Sequence, residues 1–229
     1  MERRQFFIGG IPALLYGAPS DRVWLFLHGQ QGRKEEALPF AHAACPRGAQ
    51  VLAVDLPGHG ARRERSEDLT PWAAEPELRA VQAYLDARWR SFSLRANSIG
   101  AYFAMLALDE PDRALLVSPV LDMEGLIRTM MGWAGVTEER LRREGEIPTS
   151  FGETLSWDYL CYVRSHPVRP WRCPVEILWG GQDHLIARET VEAFADRQGA
   201  RLTVVEEGEH WFHTPEQLEA LRRWESERV

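Results

Sequence analysis

Ser98 is the residue whose type and setting point most directly to chemistry. It lies in residues 96–100, Ala-Asn-Ser-Ile-Gly, where an apolar strand-like run meets a helix-like run. A serine at such a junction is forced onto a tight turn that lifts its hydroxyl above a sheet, and small residues on either side let the turn approach its neighbours. Serine is also a common helix N-cap, so a structural role stays open. As a nucleophile, Ser98 would need a general base and a group that orients this base.

The pentapeptide resembles the nucleophile elbow of the α/β-hydrolase superfamily, whose pattern is G-x-S-x-G. Ala96 replaces the first glycine, which leaves the subfamily open. The resemblance implies the chain order serine, acid, histidine. Asp183 stands 85 residues after Ser98 and His210 another 27 residues on, each just past a late strand-like run, and both segments resemble the acid and histidine loops of the family. The resemblance therefore implies a catalytic triad of Ser98, Asp183 and His210.

Other acids and histidines compete for these roles. Asp122 follows the preceding strand, where some members of the family carry the acid, but it could instead cap the helix that comes next. His213 directly precedes a helix start and is expected at the surface. His184 adjoins the acid and could tune the site, although we expect it in solvent. The sequence favours Asp183 and His210.

Two backbone amides are candidates for stabilising an oxyanion. Residues 28–32, His-Gly-Gln-Gln-Gly, resemble the H-G-x-x-G loop of the family, which implies that the Gln30 amide is one donor. The second is the amide of Ile99, the residue after the nucleophile. His28 is expected to brace this loop, and it is also kept as a candidate pocket residue. Residues 55–60 resemble the family's D-x-P-G-H-G turn, a structural marker in which His59 is not expected to be catalytic.

The rest of the chain alternates short apolar runs with amphipathic ones. Strands are predicted at 5–8, 11–16, 23–27, 50–54, 92–97, 114–120, 175–179 and 202–205, and helices at 34–44, 71–90, 99–108, 186–198 and 215–224. Such alternation predicts an α/β protein with a mostly parallel central sheet, here of about seven to eight strands, flanked by helices. Together with the elbow, it predicts the α/β-hydrolase fold.

The alternation stops over residues 121–171, a segment rich in Trp, Tyr, Met and Arg. It stands where the α/β-hydrolase family places a cap over the active site, and the resemblance therefore implies a small helical cap inserted into one domain that spans residues 1–229. Helices are predicted in it at 125–133, 137–144 and 154–163. Its apolar side chains could line a pocket, although such residues more often form core. The candidate pocket residues are His28, Met123, Met130, Trp133, Trp157 and Trp211.

Composition excludes several classes of protein. Hydrophobic residues make up 45% and charged residues 27%, which is typical of a globular chain and excludes disorder, collagen and coiled coil. The net charge of −7 argues against a nucleic-acid partner. Three scattered cysteines indicate neither a disulfide framework nor a zinc site, and no apolar run is long enough to span a membrane. We expect a cytoplasmic monomer or homodimer that acts on a small molecule without a metal or organic cofactor.

The resemblance implies a serine hydrolase that works through an acyl-enzyme intermediate. A carboxylesterase or thioesterase acting on a small to medium apolar acyl group is the first expectation. Amidase or aminopeptidase activity and hydrolysis of carbon–carbon bonds are the alternatives among enzymes. Outside enzymes, the alternative is a module that binds a small hydrophobic ligand and carries a silent triad.

Overall fold

The computed structural model of the protein describes residues 1–168 and 171–229, with the side chains of residues 65–68 outside this description. In chain order its strands are β1 (Arg3–Ile8), β2 (Ile11–Tyr16), β3 (Val23–Leu27), β4 (Gln50–Val54), β5 (Ser93–Asn97), β6 (Ala114–Val117), β7 (Glu146–Pro148), β8 (Thr154–Ser156), β9 (Val175–Gly180) and β10 (Arg201–Val205). Eight strands form one sheet in the order β1-β2-β4-β3-β5-β6-β9-β10, and β7 and β8 form a separate hairpin. The predicted mostly parallel sheet of seven to eight strands is confirmed.

Strand direction brings the loops that carry the candidate site to one edge of the sheet. β1 and β2 are antiparallel to their neighbours, and they are joined by Gly9 and Gly10, whose positive φ angles of 54° and 92° suit a two-residue hairpin turn. The strands from β4 across to β10 run parallel. The loops that follow β3, β5, β6, β9 and β10 therefore meet at the carboxyl edge.

Helices cover both faces of the sheet. They are α1 (Leu38–Ala44), α2 (Pro71–Asp86), α3 (Ser98–Ala107), α4 (Met123–Trp133), α5 (Glu138–Glu144), α6 (Trp157–Ser165), α7 (Arg188–Gln198) and α8 (Pro215–Ser226). Alternate residues of β3 point to opposite faces, which is the period of a strand. Leu25 and Leu27 pack in the apolar layer of α2, α3 and α7, whereas Trp24 and Phe26 pack in the layer of α1 and α8. Each face of the sheet thus has its own core.

Most predicted elements appear within a few residues of their expected bounds, and two differ for clear reasons. The strand predicted at 114–120 ends at Val117, because the next residue, Ser118, turns the chain with a φ of 43°. The first part of the helix predicted at 34–44 is a 3-10 helix over Lys34–Ala37. None of the helices of the described residues is long and apolar enough to span a membrane.

Residues 121–171, the predicted insertion, contain a hairpin that was not predicted. The helix expected at 154–163 begins later, at Trp157, because Thr154–Ser156 pairs with Glu146–Pro148 as strand β8. The Ser156 hydroxyl accepts a hydrogen bond from the Tyr159 amide and so caps the first turn of α6. Arg169 and Pro170, near the end of the predicted insertion, lie outside the described residues.

Candidate active site

Ser98 lies on a sharp turn between β5 and α3. Its φ of 46° is in the left-handed region, which few residues with a side chain adopt and which is typically held by surrounding structure. The turn also needs space on its inner side. A Cβ atom added to Gly100 would collide with the carbonyl oxygen of His28, so only glycine fits two residues after the serine. The local sequence therefore presents the Ser98 hydroxyl at the carboxyl edge of the sheet.

Ser98, His210 and Asp183 form a chain of hydrogen bonds. The Ser98 hydroxyl lies 2.8 Å from Nε2 of His210, and Nδ1 of His210 lies 2.7 Å from Oδ2 of Asp183. His210 and Asp183 are buried, whereas Ser98 is partly exposed. The sequence separates these residues widely, and the fold brings them together at the ends of β5, β9 and β10. In this arrangement His210 can receive the serine proton while Asp183 orients its ring.

The carboxylate of Asp183 is fixed by its own loop. Its Oδ1 atom accepts hydrogen bonds from the amides of Leu185 and Ile186, at 2.8 and 3.1 Å. Its other oxygen, Oδ2, is left to face His210. The Asp183 carboxylate therefore cannot rotate freely. A group that orients a histidine ring needs such a fixed direction.

The acid loop and the histidine loop pack backbone against backbone. The amide of Gln182 donates to the carbonyl of Gly208 at 2.8 Å, and the amide of Gly181 donates to the carbonyl of Val205 at 2.8 Å. A Cβ atom added to Gly180 would lie 2.5 Å from the carbonyl carbon of Gly208. Glycine at 180 thus allows a close approach that any side chain would prevent.

The histidine loop is anchored on both sides of His210. Phe212 has a φ of 45° and is 2% exposed, and it packs in the core layer of α1 and α8. From α8, the side-chain amide of Gln217 donates to the carbonyl of Glu207 at 2.9 Å, and its oxygen accepts from the amide of His213 at 3.1 Å. These contacts fix the segment that carries His210.

His28 braces the loop that carries Gln30. It has no exposed surface, its Nδ1 lies 2.7 Å from the carbonyl of Gly29, and its Nε2 accepts from the amide of Leu56 at 3.0 Å. Burial lowers the pKa of His28 to about 4, so the ring is neutral near neutral pH. A residue with no surface and both nitrogens engaged cannot line a pocket. The structure therefore corrects the prediction that His28 does so.

A buried ion pair holds the other end of this loop. The ammonium of Lys34 lies 2.8 Å from Oδ2 of Asp55, whose other oxygen accepts from the Lys34 amide at 2.8 Å. The amide of Ala61 donates to Oδ2 at 2.9 Å. This network ties the segment after Gln30 to the turn after β4.

The rival acid and histidines lie elsewhere. Asp122 caps α4, because its Oδ1 accepts from the amide of Gly125 at 2.9 Å. His184 is exposed. The His213 ring is also exposed and lies 3.1 Å from a carboxylate oxygen of Glu209. None of these three takes part in the hydrogen-bonded chain through Ser98.

The remaining candidate pocket residues differ in exposure. Trp211 directly follows His210, is 69% exposed, and its ring centroid lies 5.5 Å from that of His210. Trp133 is 52% exposed and packs edge to face on Phe151. Met130 and Trp157 are half-buried, whereas Met123 is buried. Trp211 therefore lies beside His210 in the hydrogen-bonded chain through Ser98.

Two surface cavities lie at the opposite edge of the sheet. They have volumes of about 490 and 880 Å³, and both include Gly17 in the loop before β3. Ser98, Asp183 and His210 line neither cavity. The hydrogen-bonded chain through Ser98, and not a cavity, therefore defines the candidate site.

Sequence reasoning missed three residues that support the site. These are Gln217 and Glu225 on α8, and Arg95 on β5. A charged residue between Leu94 and Ala96 in the strand before Ser98 was the available signal for Arg95. For Gln217 and Glu225 no local signal existed, because their partners lie far away in the sequence.

A comparison with protein-family models decides the family. The model described as the alpha/beta hydrolase family matches residues 24–223, from β3 into α8. The chain belongs to the alpha/beta hydrolase family. The match includes the segments that carry Ser98, Asp183 and His210.

Solved structures share the alpha/beta hydrolase fold over nearly the whole chain. Est1E from Butyrivibrio proteoclasticus, with ferulic acid bound, is 21% identical with a TM-score of 0.79, and the match covers 98% of this chain and 96% of Est1E. Alpha/beta hydrolase domain-containing protein 10 from mouse is 14% identical with a TM-score of 0.75, covering 98% and 96%. The thioesterase domain from the curacin biosynthetic pathway is 18% identical with a TM-score of 0.59, covering 98% and 99%. No curated protein gives a significant match.

Proposed function

We propose that this alpha/beta hydrolase is a serine hydrolase whose catalytic residues are Ser98, His210 and Asp183. The observation that carries the proposal is the unbroken hydrogen-bonded chain from the Ser98 hydroxyl through both ring nitrogens of His210 to Asp183. Ser98 attacks a carbonyl carbon, and Nε2 of His210 takes the serine proton. The proton then goes to the leaving group, which departs and leaves an acyl-enzyme on Ser98. Water, activated by His210, releases the acid.

The negative charge that forms on the carbonyl oxygen needs donors that are already in place. We assign this role to the amides of Ile99, at the start of α3, and of Gln30, in the loop after β3. The position of Ile99 beside the nucleophile supports the first assignment. The bracing of the Gln30 loop by His28 and by the Lys34–Asp55 pair supports the second, because a fixed loop spends no energy on reorganisation.

The inserted segment is the proposed cap over this site within a single domain. The Gln30 side chain donates to Oε1 of Glu153 at 2.7 Å, so the end of the β7–β8 hairpin lies beside the proposed oxyanion loop. Phe151, 40% exposed, lies on the same hairpin connection and packs on Trp133. Exposed aromatic rings next to the site favour an apolar substrate.

The proposed substrate is a carboxylic ester or thioester of a small to medium apolar acyl group. An esterase from Pyrococcus furiosus and a thioesterase domain are among the similar structures, which supports both bond types. Est1E binds ferulic acid, so a ferulate ester belongs in the test alongside aliphatic ones. We also propose that the protein works in the cytoplasm as a monomer or homodimer.

The test compares kcat/KM for a butyryl ester, thioester and amide and for a ferulate ester. We expect the ester or thioester to exceed the amide, and Ser98→Ala to lower the rate by about 10⁴-fold or more without unfolding the protein. Faster hydrolysis of the amide would contradict the ester assignment, and unchanged hydrolysis by Ser98→Ala would contradict the triad. Binding of apolar acyl ligands without any turnover would indicate a ligand-binding module.

A further inference from the structure

Arg95 is a buried charge in the middle of the parallel sheet. It lies on β5, opposite Phe26 of β3 and Leu115 of β6, and it is 2% exposed. Its guanidinium carbon is 5.3 Å from the centroid of the Phe26 ring. Apolar residues normally fill such a position, and a buried ion pair is often no more stable than an apolar pair of similar size. Packing alone therefore does not account for an arginine here.

The guanidinium joins two partners. Its Nε donates to Oε1 of Glu225 on α8 at 2.7 Å, and its Nη1 donates to Oδ1 of Asn97. Glu225 is 3% exposed. Burial raises the pKa of the Glu225 carboxyl, and the charge of Arg95 opposes this rise. The fork geometry of arginine suits this task, because one planar group can hold two acceptors in fixed directions.

The second partner directly precedes the nucleophile. Asn97 has an extended backbone with φ of −104° and ψ of 138°, and the chain then turns at Ser98 to a φ of 46°. The left-handed region is unfavourable for a residue with a side chain, so this conformation persists only where the surrounding structure holds it. The Arg95 contact fixes the side chain of the residue from which the turn starts.

The same helix holds the base. Gln217 of α8 binds the carbonyl of Glu207 and the amide of His213, on either side of His210. Helix α8 thus contacts the nucleophile side through Glu225 and the base side through Gln217. One helix therefore contacts the segments of both Ser98 and His210, whose Oγ and Nε2 atoms lie 2.8 Å apart.

We propose that the buried Arg95–Glu225 pair is a positioning device that fixes Asn97, and through it the Ser98 hydroxyl, relative to His210. This inference rests on the proposed function of Ser98 and His210. Arg95 and Glu225 are positioning residues, since their described contacts are with each other and with Asn97 and the core. The pair therefore acts on the rate of the chemical step and not on substrate binding.

The test replaces the pair by apolar residues in the variant Arg95→Met/Glu225→Leu. Such a replacement can keep the fold, because the site lies in an apolar layer. A misplacement of about 1 Å costs on the order of 100-fold in rate, so we expect kcat to fall at least about tenfold while KM stays within about twofold. The matched control is Arg228→Met/Glu176→Leu at the amino end of β9, which removes a 2.7 Å pair and the weaker contacts of Glu176 with Arg113 and Arg201. We expect the control to keep kcat within about twofold.

Asn97→Ala gives a second route that leaves the ion pair in place. It should lower kcat to a similar extent at unchanged KM, and a folded Asn97→Ala variant with the wild-type kcat would overturn the proposal. Wild-type kcat in a folded Arg95→Met/Glu225→Leu variant would also overturn it.

A crystal structure of either variant gives a readout that does not need turnover. We expect the distance between Ser98 Oγ and His210 Nε2 to exceed 3.5 Å, compared with 2.8 Å here. An unchanged distance overturns the positioning role even if the wild-type protein hydrolyses nothing. Loss of the proposed function would instead appear as a wild-type protein without hydrolase activity, so the two failures are distinguishable.

Discussion

Replacing Gly180 by alanine is expected to separate the acid loop from the histidine loop. The added Cβ atom would lie 2.5 Å from the carbonyl carbon of Gly208. Carbon atoms pack at roughly 3.5 Å or more, so the loops must move apart by about 1 Å. The colliding atoms belong to the backbone, which cannot rotate away as a side chain can. A shift of about 1 Å costs on the order of 100-fold in rate, and we expect kcat to fall by about that factor.

The assay is steady-state hydrolysis of a chromogenic butyrate ester, with thermal unfolding followed by circular dichroism. Overpacking costs about 1–3 kcal/mol, which the folded state is expected to tolerate. The matched control is Gly132→Ala on α4, where an added Cβ meets no described atom within 4 Å. The control should keep kcat and gain about 0.5–1 kcal/mol of stability, because alanine suits a helix better than glycine. A folded Gly180→Ala variant with the wild-type kcat would refute the reasoning.

Three further predictions concern the acids, a buried histidine and an exposed tryptophan. Asp183→Asn should lower kcat on the order of 10⁴-fold in the ester assay, whereas Asp122→Asn should leave kcat within about twofold, since asparagine also caps a helix; the reverse order would mean that Asp122 is the acid. Burial lowers the pKa of His28 to about 4, so its ring should be neutral at pH 5.5 by ¹⁵N chemical shift. The unfolded chain protonates His28 near pH 6.5, so the lower pKa in the folded protein contributes about 3 kcal/mol to the free energy of unfolding. This contribution is complete above pH 6.5 and is lost as the pH falls from about 6.5 toward 4. A protonated ring at pH 5.5 would contradict the prediction. Trp211→Ala should change the free energy of unfolding by less than about 0.5 kcal/mol, because the ring is 69% exposed, and it should lower kcat/KM for apolar esters; unchanged kcat/KM would remove Trp211 from the substrate site.

The fold could be predicted because its signals are local. The continuously apolar run that became β3 and the apolar residues 51–54 of β4 are typical of strands buried on both faces, and the glycine pair after β1 suits a hairpin turn. The order of the three motifs around Ser98, Asp183 and His210 came from their resemblance to one family. The fold then placed these residues within hydrogen-bonding distance.

The missed features depend on contacts that no local pattern encodes. The β7–β8 hairpin consists of two three-residue strands, too short for a periodic signal, and Ser156 ends one strand while capping the next helix. Arg95 and Glu225 are 130 residues apart, and neither residue type indicates its partner. The sequence also allowed His28 to face a pocket or to brace a loop, and only its complete burial decided between them.

The central claim is that Ser98 is an activated nucleophile, and a fluorophosphonate probe tests it most directly. The probe bonds covalently to an activated serine, so the mass of the intact protein reports the number of adducts and peptide mapping locates them. We expect one adduct per chain, on Ser98, and none in the folded Ser98→Ala variant. A folded wild-type protein that gains no adduct, or that gains one on another residue, would contradict the account.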